Sequence, residues 1–249
     1  MAWMTRILTM AVLSSTIMLF AAEKSEGVKT FSPIASAILM DAYRYLGSLE
    51  RFSFNAVTSS DDVYRDMMLV SYQHKIEVSL QRPDKLRVHV FGDLKNRNIY
   101  LLDDMFTLID NGHNFYGQVQ VPKTIDSALD HLFENFNIKT PLANLLYTDL
   151  DKRLPPKHKG YYFGTTLIDG KMCHHIGFTN ENRELQVWIE KSQTPLIKKF
   201  VIIDKAEKLN PRSATLIRWD LHPGFDENYF RFKAPEGALK ISVSAKGRR

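Results

Sequence analysis

Ile34, Ile38, Ala42, Tyr45, Leu46 and Leu49 recur at the three-and-four spacing of a helix face, and Ser32-Pro33 places proline at the first helical position. The pattern predicts one helix ending near Arg51. Beyond it the period falls to two. Between residues 64 and 80, Met68, Val70, Tyr72, Ile76, Val78 and Leu80 hold even positions, while Arg65, Gln73, Lys75, Glu77 and Ser79 hold odd ones. Such alternation predicts long strands with one dry and one wet side. A turn at Pro83-Asp84 leads to a strand over 86–90. Three shorter strands (97–102, 105–110 and 115–121) follow, parted by the turn pairs Asp103-Asp104 and Asn111-Gly112.

The middle of the chain returns to the helical period. Thr124 caps a helix over 124–137 whose apolar stripe is Ile125, Leu129, Leu132, Phe133 and Phe136, with Asp126, Asp130 and Glu134 interspersed. Thr140-Pro141 opens a second short helix carrying Leu142, Leu145, Leu146 and Tyr147, and residues 152–160 read as a loop. Strands resume over 161–168, 172–178, 184–190, 197–204, 214–221 and 229–232. The order helix, strands, two helices, strands describes a single α+β domain, an antiparallel meander curling around the inserted helices. Pro122 and Pro141 flank the first of these helices and would let it swing as a cover.

The N-terminus changes the setting. Arg6, an apolar run over 7–20 and Ala21-Ala22 form the pattern of a secretory signal peptide, residues 1–22, and the run is shorter than the roughly 20 residues of a membrane span. Leu19 and Phe20 stand where a small residue favours cleavage, so an uncleaved inner-membrane anchor is the alternative. Either way the destination is outside the cytoplasm, a periplasm. Residues 242–249, ending Lys246-Gly-Arg-Arg249, read as a basic flexible tail. The formal charge of +5 is spread among both signs, which allows weak contact with an anionic membrane and argues against nucleic acid as a partner.

Candidate chemistry is sparse. A single cysteine, Cys173, excludes an internal disulfide and any CxxC zinc or redox site, and its apolar strand reads as a buried, inert position. His174 and His175 are neighbours on a strand, so their side chains point to opposite faces and cannot hold one ion together. Cys173 and His175 share a face without a third ligand at diagnostic spacing. The doublets Asp61-Asp62 and Asp103-Asp104 fall at element ends, where turn chemistry explains them. No nucleophile elbow, phosphate loop or dinucleotide fingerprint is present. The reading is a non-catalytic binder with no catalytic residue, metal or cofactor.

Several segments taken in order carry a resemblance. They are Phe106-Thr-Leu-Ile-Asp-Asn-Gly-His-Asn-Phe-Tyr116, Thr124-Ile-Asp-Ser-Ala-Leu129, Pro141-Leu-Ala-Asn-Leu-Leu146, and Gly164-Thr-Thr-Leu-Ile-Asp-Gly-Lys-Met-Cys-His-His175. Leu185-Gln-Val-Trp-Ile-Glu190, Pro195-Leu196, Trp219-Asp-Leu221, Phe230-Arg-Phe232 and Pro235-Glu-Gly237 complete the set. Over residues 31–241 the chain resembles a family of predicted periplasmic proteins with the LolA/LolB-like fold, that of outer-membrane lipoprotein carriers. The resemblance implies a curved antiparallel sheet, an unclosed half-barrel, whose apolar concave face is lidded by helices and takes acyl chains. It implies a lipid or an acylated protein as partner; the alternative is an envelope protein-interaction or stress-sensing module. On the dry faces read above, the lining would be Met68, Val70, Tyr72, Ile76, Val78, Val88, Val90, Leu129, Leu132, Phe133, Phe136, Leu145 and Leu146. Met67 and Met105 would add adaptable thioether contacts. Trp188, out of phase with Leu185, Val187 and Ile189, is expected in an outer patch beneath the N-terminal helix.

Overall fold

The computed structural model describes residues 32–153 and 159–245; the expected signal peptide and the end of the expected basic tail lie outside them. Twelve strands form one sheet in the order β12-β6-β5-β4-β3-β2-β1-β11-β10-β9-β8-β7. The first half is a meander of β1 (Arg51–Tyr64), β2 (Met68–Gln81), β3 (Lys85–Gly92), β4 (Asn96–Leu102), β5 (Met105–Asp110) and β6 (Phe115–Gln120). The second runs from β7 (Lys159–Ile168) through β8 (Lys171–Thr179), β9 (Arg183–Glu190) and β10 (Ile197–Asp204) to β11 (Arg212–Asp220), which pairs antiparallel with β1. The β1–β11 ladder is the seam that joins the two meanders. Short β12 (Leu239–Ile241) pairs parallel with β6, so the sheet is antiparallel save at that edge. Among the described residues β12 and β7 have no outer neighbour in the sheet, which leaves it unclosed.

Topology dictates where the helices go. The chain leaves β6 near one edge and enters β7 at the other, and between them lie α2 (Ile125–Phe136), a 3-10 turn (Ala143–Leu145) and α3 (Leu150–Arg153). That crossover lies on the inner face. The inner rows are continuous across strands: Phe52 faces Leu80, which faces Leu86 and then Leu101, and Phe54 faces Val78, Val88 and Ile99 in turn. Ile125, Ala128, Leu129 and Leu132 from α2, with Leu145, Leu146 and Leu150, join these rows in one core cluster.

The N-terminal helix α1 (Pro33–Ser48) closes the inner face over the second meander. Its buried face is Ala35, Leu39, Ala42, Tyr43 and Leu46; of the expected stripe only Ala42 and Leu46 are buried, while Ile34 is exposed and Ile38, Tyr45 and Leu49 are half-buried. Small residues decide this. Ala35 approaches β7 so closely that a Cβ on Gly160 would lie 3.1 Å from its own, and a Cβ on Gly47 would meet the carbonyl of Thr148. The helix ends at Ser48, before the expected Arg51, because Leu49 is already extended and its carbonyl accepts from the Arg82 guanidinium at 2.9 Å.

Three further expectations are corrected. The run read over 64–80 contains a turn at residues 65–67, with left-handed Arg65 and Asp66, and its first strand is the unread Arg51–Tyr64. Residues 229–232 are not a strand. They belong to a strap over the outer face, where the Tyr229 hydroxyl bonds Ser79 at 2.9 Å, Arg87 stacks on the Tyr229 ring, and Phe232 packs against Tyr100 and Tyr116. Trp188 does face outward, stacked on His175 and covered by Lys199, but α1 lies on the opposite face.

Candidate functional site

The residues expected to line a cavity divide into three groups. Ile76, Val78, Val88, Val90, Leu129, Leu132, Leu145 and Leu146 are all buried in the main core, where sheet and helices pack directly. Phe133 is 52% exposed, with the Lys139 ammonium over its ring, and half-buried Phe136 rests beside His131. Met68, Val70 and Tyr72 lie beyond the helices on the same inner face, toward the end of the long β1–β2 hairpin.

That third group is part of a larger strip. Along β1 the inner positions after Ala56 are Thr58 and Ser60, facing His74 and Tyr72 on β2 and Thr215 and Ser213 on β11. Thr215 faces Phe200 on β10 and Ser213 faces Ile202, which in turn faces Leu185 on β9. Val70, Tyr72, Leu185, Phe200 and Ile202 are all half-exposed, whereas farther toward the helices the same strands carry the core residues Ile76, Val187 and Ile197. The dry face therefore continues past its helical cover as an apolar strip with hydroxyl groups at its centre, Thr58 and Thr215 bonding each other at 2.9 Å. Sequence reading missed Thr58 and Ser60 because their strand was not read. Phe200, Ile202 and Leu185 carried a visible alternation on strands that were read.

Polar contacts hold the helices over the rest of the face. Asp126 accepts from the backbone N–H and hydroxyl of Thr148 and faces Arg82 at 3.6 Å. Asp130 accepts the Tyr147 hydroxyl at 3.0 Å and a two-pronged contact from Arg153 at 2.9 Å each. Burial, then the Asp130 carboxylate, pushes the Tyr147 hydroxyl far up; hydrogen bonds to Asp130 hold Arg153 firmly charged. Arg153 also stacks on the Tyr147 ring at 4.0 Å, so α2 and the segment through α3 are fastened as one unit. Arg153→Ala is expected to lower stability by about 1 kcal/mol, because two-pronged guanidinium contacts are strong but this pair is partly solvated. A thermal melt should fall by about 2–4 °C. An unchanged melt would mean that apolar packing alone seats the helices.

A more polar cleft of about 430 Å³ opens between α1, β8, β9 and the loop after β9, lined by Ile38, Asp41, Tyr45, His174, Ile189 and Glu190 among others. Burial and then Glu190 raise the Tyr45 hydroxyl, while burial and then Lys191 lower His174, whose Nδ1 meets the Tyr162 hydroxyl at 3.0 Å. His175 points to the other face, toward Phe163 and Trp188. Cys173 is buried and its thiol is pushed up by that burial, which disfavours the thiolate a nucleophile requires. Among the described residues no group of three His, Cys, Asp or Glu side chains is placed to hold a metal ion, and no helix is long and apolar enough to cross a membrane.

A family model described as "Predicted periplasmic protein (DUF2092)" matches residues 35–244. Among solved structures, LprF from Mycobacterium bovis is similar at 15% identity and a TM-score of 0.46, over 83% of this chain and 98% of that one. The Mycobacterium tuberculosis lipoprotein LppX is similar at 11% identity and a TM-score of 0.43, over 78% and 100%. A LolA superfamily protein from Nitrosomonas europaea follows at 13% identity and a TM-score of 0.32, over 78% and 96%. No curated protein matches the chain.

Proposed function

Because the chain belongs to the DUF2092 family of predicted periplasmic proteins, we propose that it is an exported, non-catalytic binder of acyl chains, taken from a lipid or an acylated protein in the periplasm. The observation that carries this reading is the strip of Val70, Tyr72, Leu185, Phe200 and Ile202, apolar, half-exposed and continuous with the core face. A soluble domain normally covers such a face, and an acyl chain is the ligand whose shape and polarity fit a narrow apolar strip. Each methylene removed from water contributes roughly 0.8 kcal/mol, so a chain only partly laid on the strip gains useful affinity. Release then needs a competing apolar sink, a membrane or a second carrier, and no chemical step.

Native mass spectrometry with lipid extraction, on protein purified gently from a periplasmic fraction, tests the reading. A stoichiometric lipid is expected. Phe200→Asp should reduce the lipid-bound fraction about tenfold or more, since a carboxylate on the strip is poorly solvated once a chain covers it. It should leave the circular dichroism of the sheet unchanged, because Phe200 sits at the margin of the core rather than inside it. A lipid-free protein that also ignores added acyl probes would overturn the proposal and favour an envelope protein-interaction module.

A further inference from the structure

We infer that His74 is the polar anchor of the strip, donating a hydrogen bond from its imidazole Nε2 to the carbonyl or carboxylate oxygen of the bound acyl chain; this rests on the reading of the strip as an acyl-chain site. His74 stands on the inner face, opposite Thr58 on β1 and Gly92 on β3, two residues from Tyr72 on one side and Ile76 on the other. Its Nε2 is shut off from water and has no hydrogen-bond partner among the described residues. Buried polar atoms are almost always bonded, so such an orphan calls for an explanation. The nearest hydroxyl on that row, Thr58, is committed to Thr215. On the other flank Gly92 places no side chain beside the ring.

Among the described residues three other side chains carry a buried polar atom without a partner, and none lies on the strip. Arg82 belongs to the joint between α1 and α2, Asn98 projects to the outer face out of phase with Ile99, and Thr140 sits between the helices. His74 is thus the orphan on the strip, and since the residue itself is half-exposed, a turn of its ring as the ligand enters would bring Nε2 to the acyl oxygen. Val70, Tyr72, Phe200, Ile202 and Leu185 accept methylenes; the strip's other donors are the hydroxyls of Tyr72, Ser60 and Ser213, one row farther from the core than His74. The carbonyl oxygen is the acceptor common to every acyl ligand, and a neutral imidazole donates one hydrogen bond to it. Two sources share this chemistry: a free fatty acid, through its carboxylate, and an ester or amide of a complex lipid or acylated protein.

The test compares the full chain with His74→Ala and His74→Gln, using diphenylhexatriene as a purely apolar fluorescent probe, displaced by palmitate or by methyl palmitate. The probe should bind all three proteins equally. Palmitate should bind His74→Ala about tenfold more weakly, equivalent to about 1.4 kcal/mol. His74→Gln, which keeps a donor, should recover most of the loss, a rescue that a merely structural role does not predict. Weakening of palmitate alone supports a free fatty acid as ligand, and weakening of methyl palmitate as well supports an ester or amide. Equal palmitate binding by wild type and His74→Ala, with the probe still bound, overturns the role of His74 and leaves the strip standing. Failure of wild type to bind the probe overturns the strip and the anchor together.

Discussion

Leu132→Asp is expected to cost more than about 4 kcal/mol, through loss of a buried leucine and burial of a carboxylate, while Phe133→Asp next to it stays within about 0.5 kcal/mol of wild type. Leu132 is 1% exposed and packed in the core; Phe133 is on the far side of α2 with a lysine over its ring. For a chain of this size the first variant should melt at least about 10 °C lower, and the second within a degree or two. Thermal melts followed by circular dichroism read both. A small effect at Leu132 would mean that α2 is not docked on the sheet in solution. A large loss at Phe133 would mean that the ring has a partner in the folded protein beyond Lys139. The pair also separates two models of the helix layer. If α2 served as a greasy cover through its phenylalanines, Phe133→Asp would abolish lipid uptake; on the strip beyond the helices it should not.

How far the sequence spoke depends on what each residue signals by itself. The α2 start was legible because Thr124 caps it in the ordinary way, accepting from the Ser127 N–H at 3.2 Å. The face of α1 was legible only in part, because hydropathy weights Ile34 and Ile38 while the close approach to β7 selects Ala35, whose smallness is the signal. β1 escaped notice since its outer half, Thr58 to Asp62, is polar on both faces. Its pattern becomes a strand only when paired, over its full length, with β2. The same polar stretch holds Thr58 and Ser60 on the strip, so missing the strand meant missing that part of the site. Residues 229–232 misled in the opposite sense. Tyr229, Phe230 and Phe232 look like strand residues because they are aromatic, yet they form a strap across the outer face that buries Phe230 and half-buries the other two. Burial by a neighbour's surface leaves no period in the chain that supplies it.

Phe54→Ala is the other large effect, expected to cost about 3–5 kcal/mol, as for other buried phenylalanines truncated to alanine. The position matters because β1 and β11 form the seam of the sheet. Phe54 faces Trp219 across that seam, its ring 4.7 Å from the indole, and Phe52 meets the same indole edge-on at 5.5 Å. Trp219 is itself fixed by donating from its indole N–H to the Ile197 carbonyl on β10 at 2.8 Å. Truncating Phe54 therefore loosens the contact through which the first meander grips the second, beyond the cavity it leaves. Val63→Ala, far out on the same strand and half-exposed, should cost less than about 0.5 kcal/mol and serves as the control. Urea unfolding should be followed both by tryptophan fluorescence, which reports on the second meander through Trp188 and Trp219, and by circular dichroism, which reports on the whole sheet. If the seam makes the twelve strands one cooperative unit, the two transitions coincide in wild type and shift together in Phe54→Ala. Separated transitions in wild type would mean that each meander folds as its own unit.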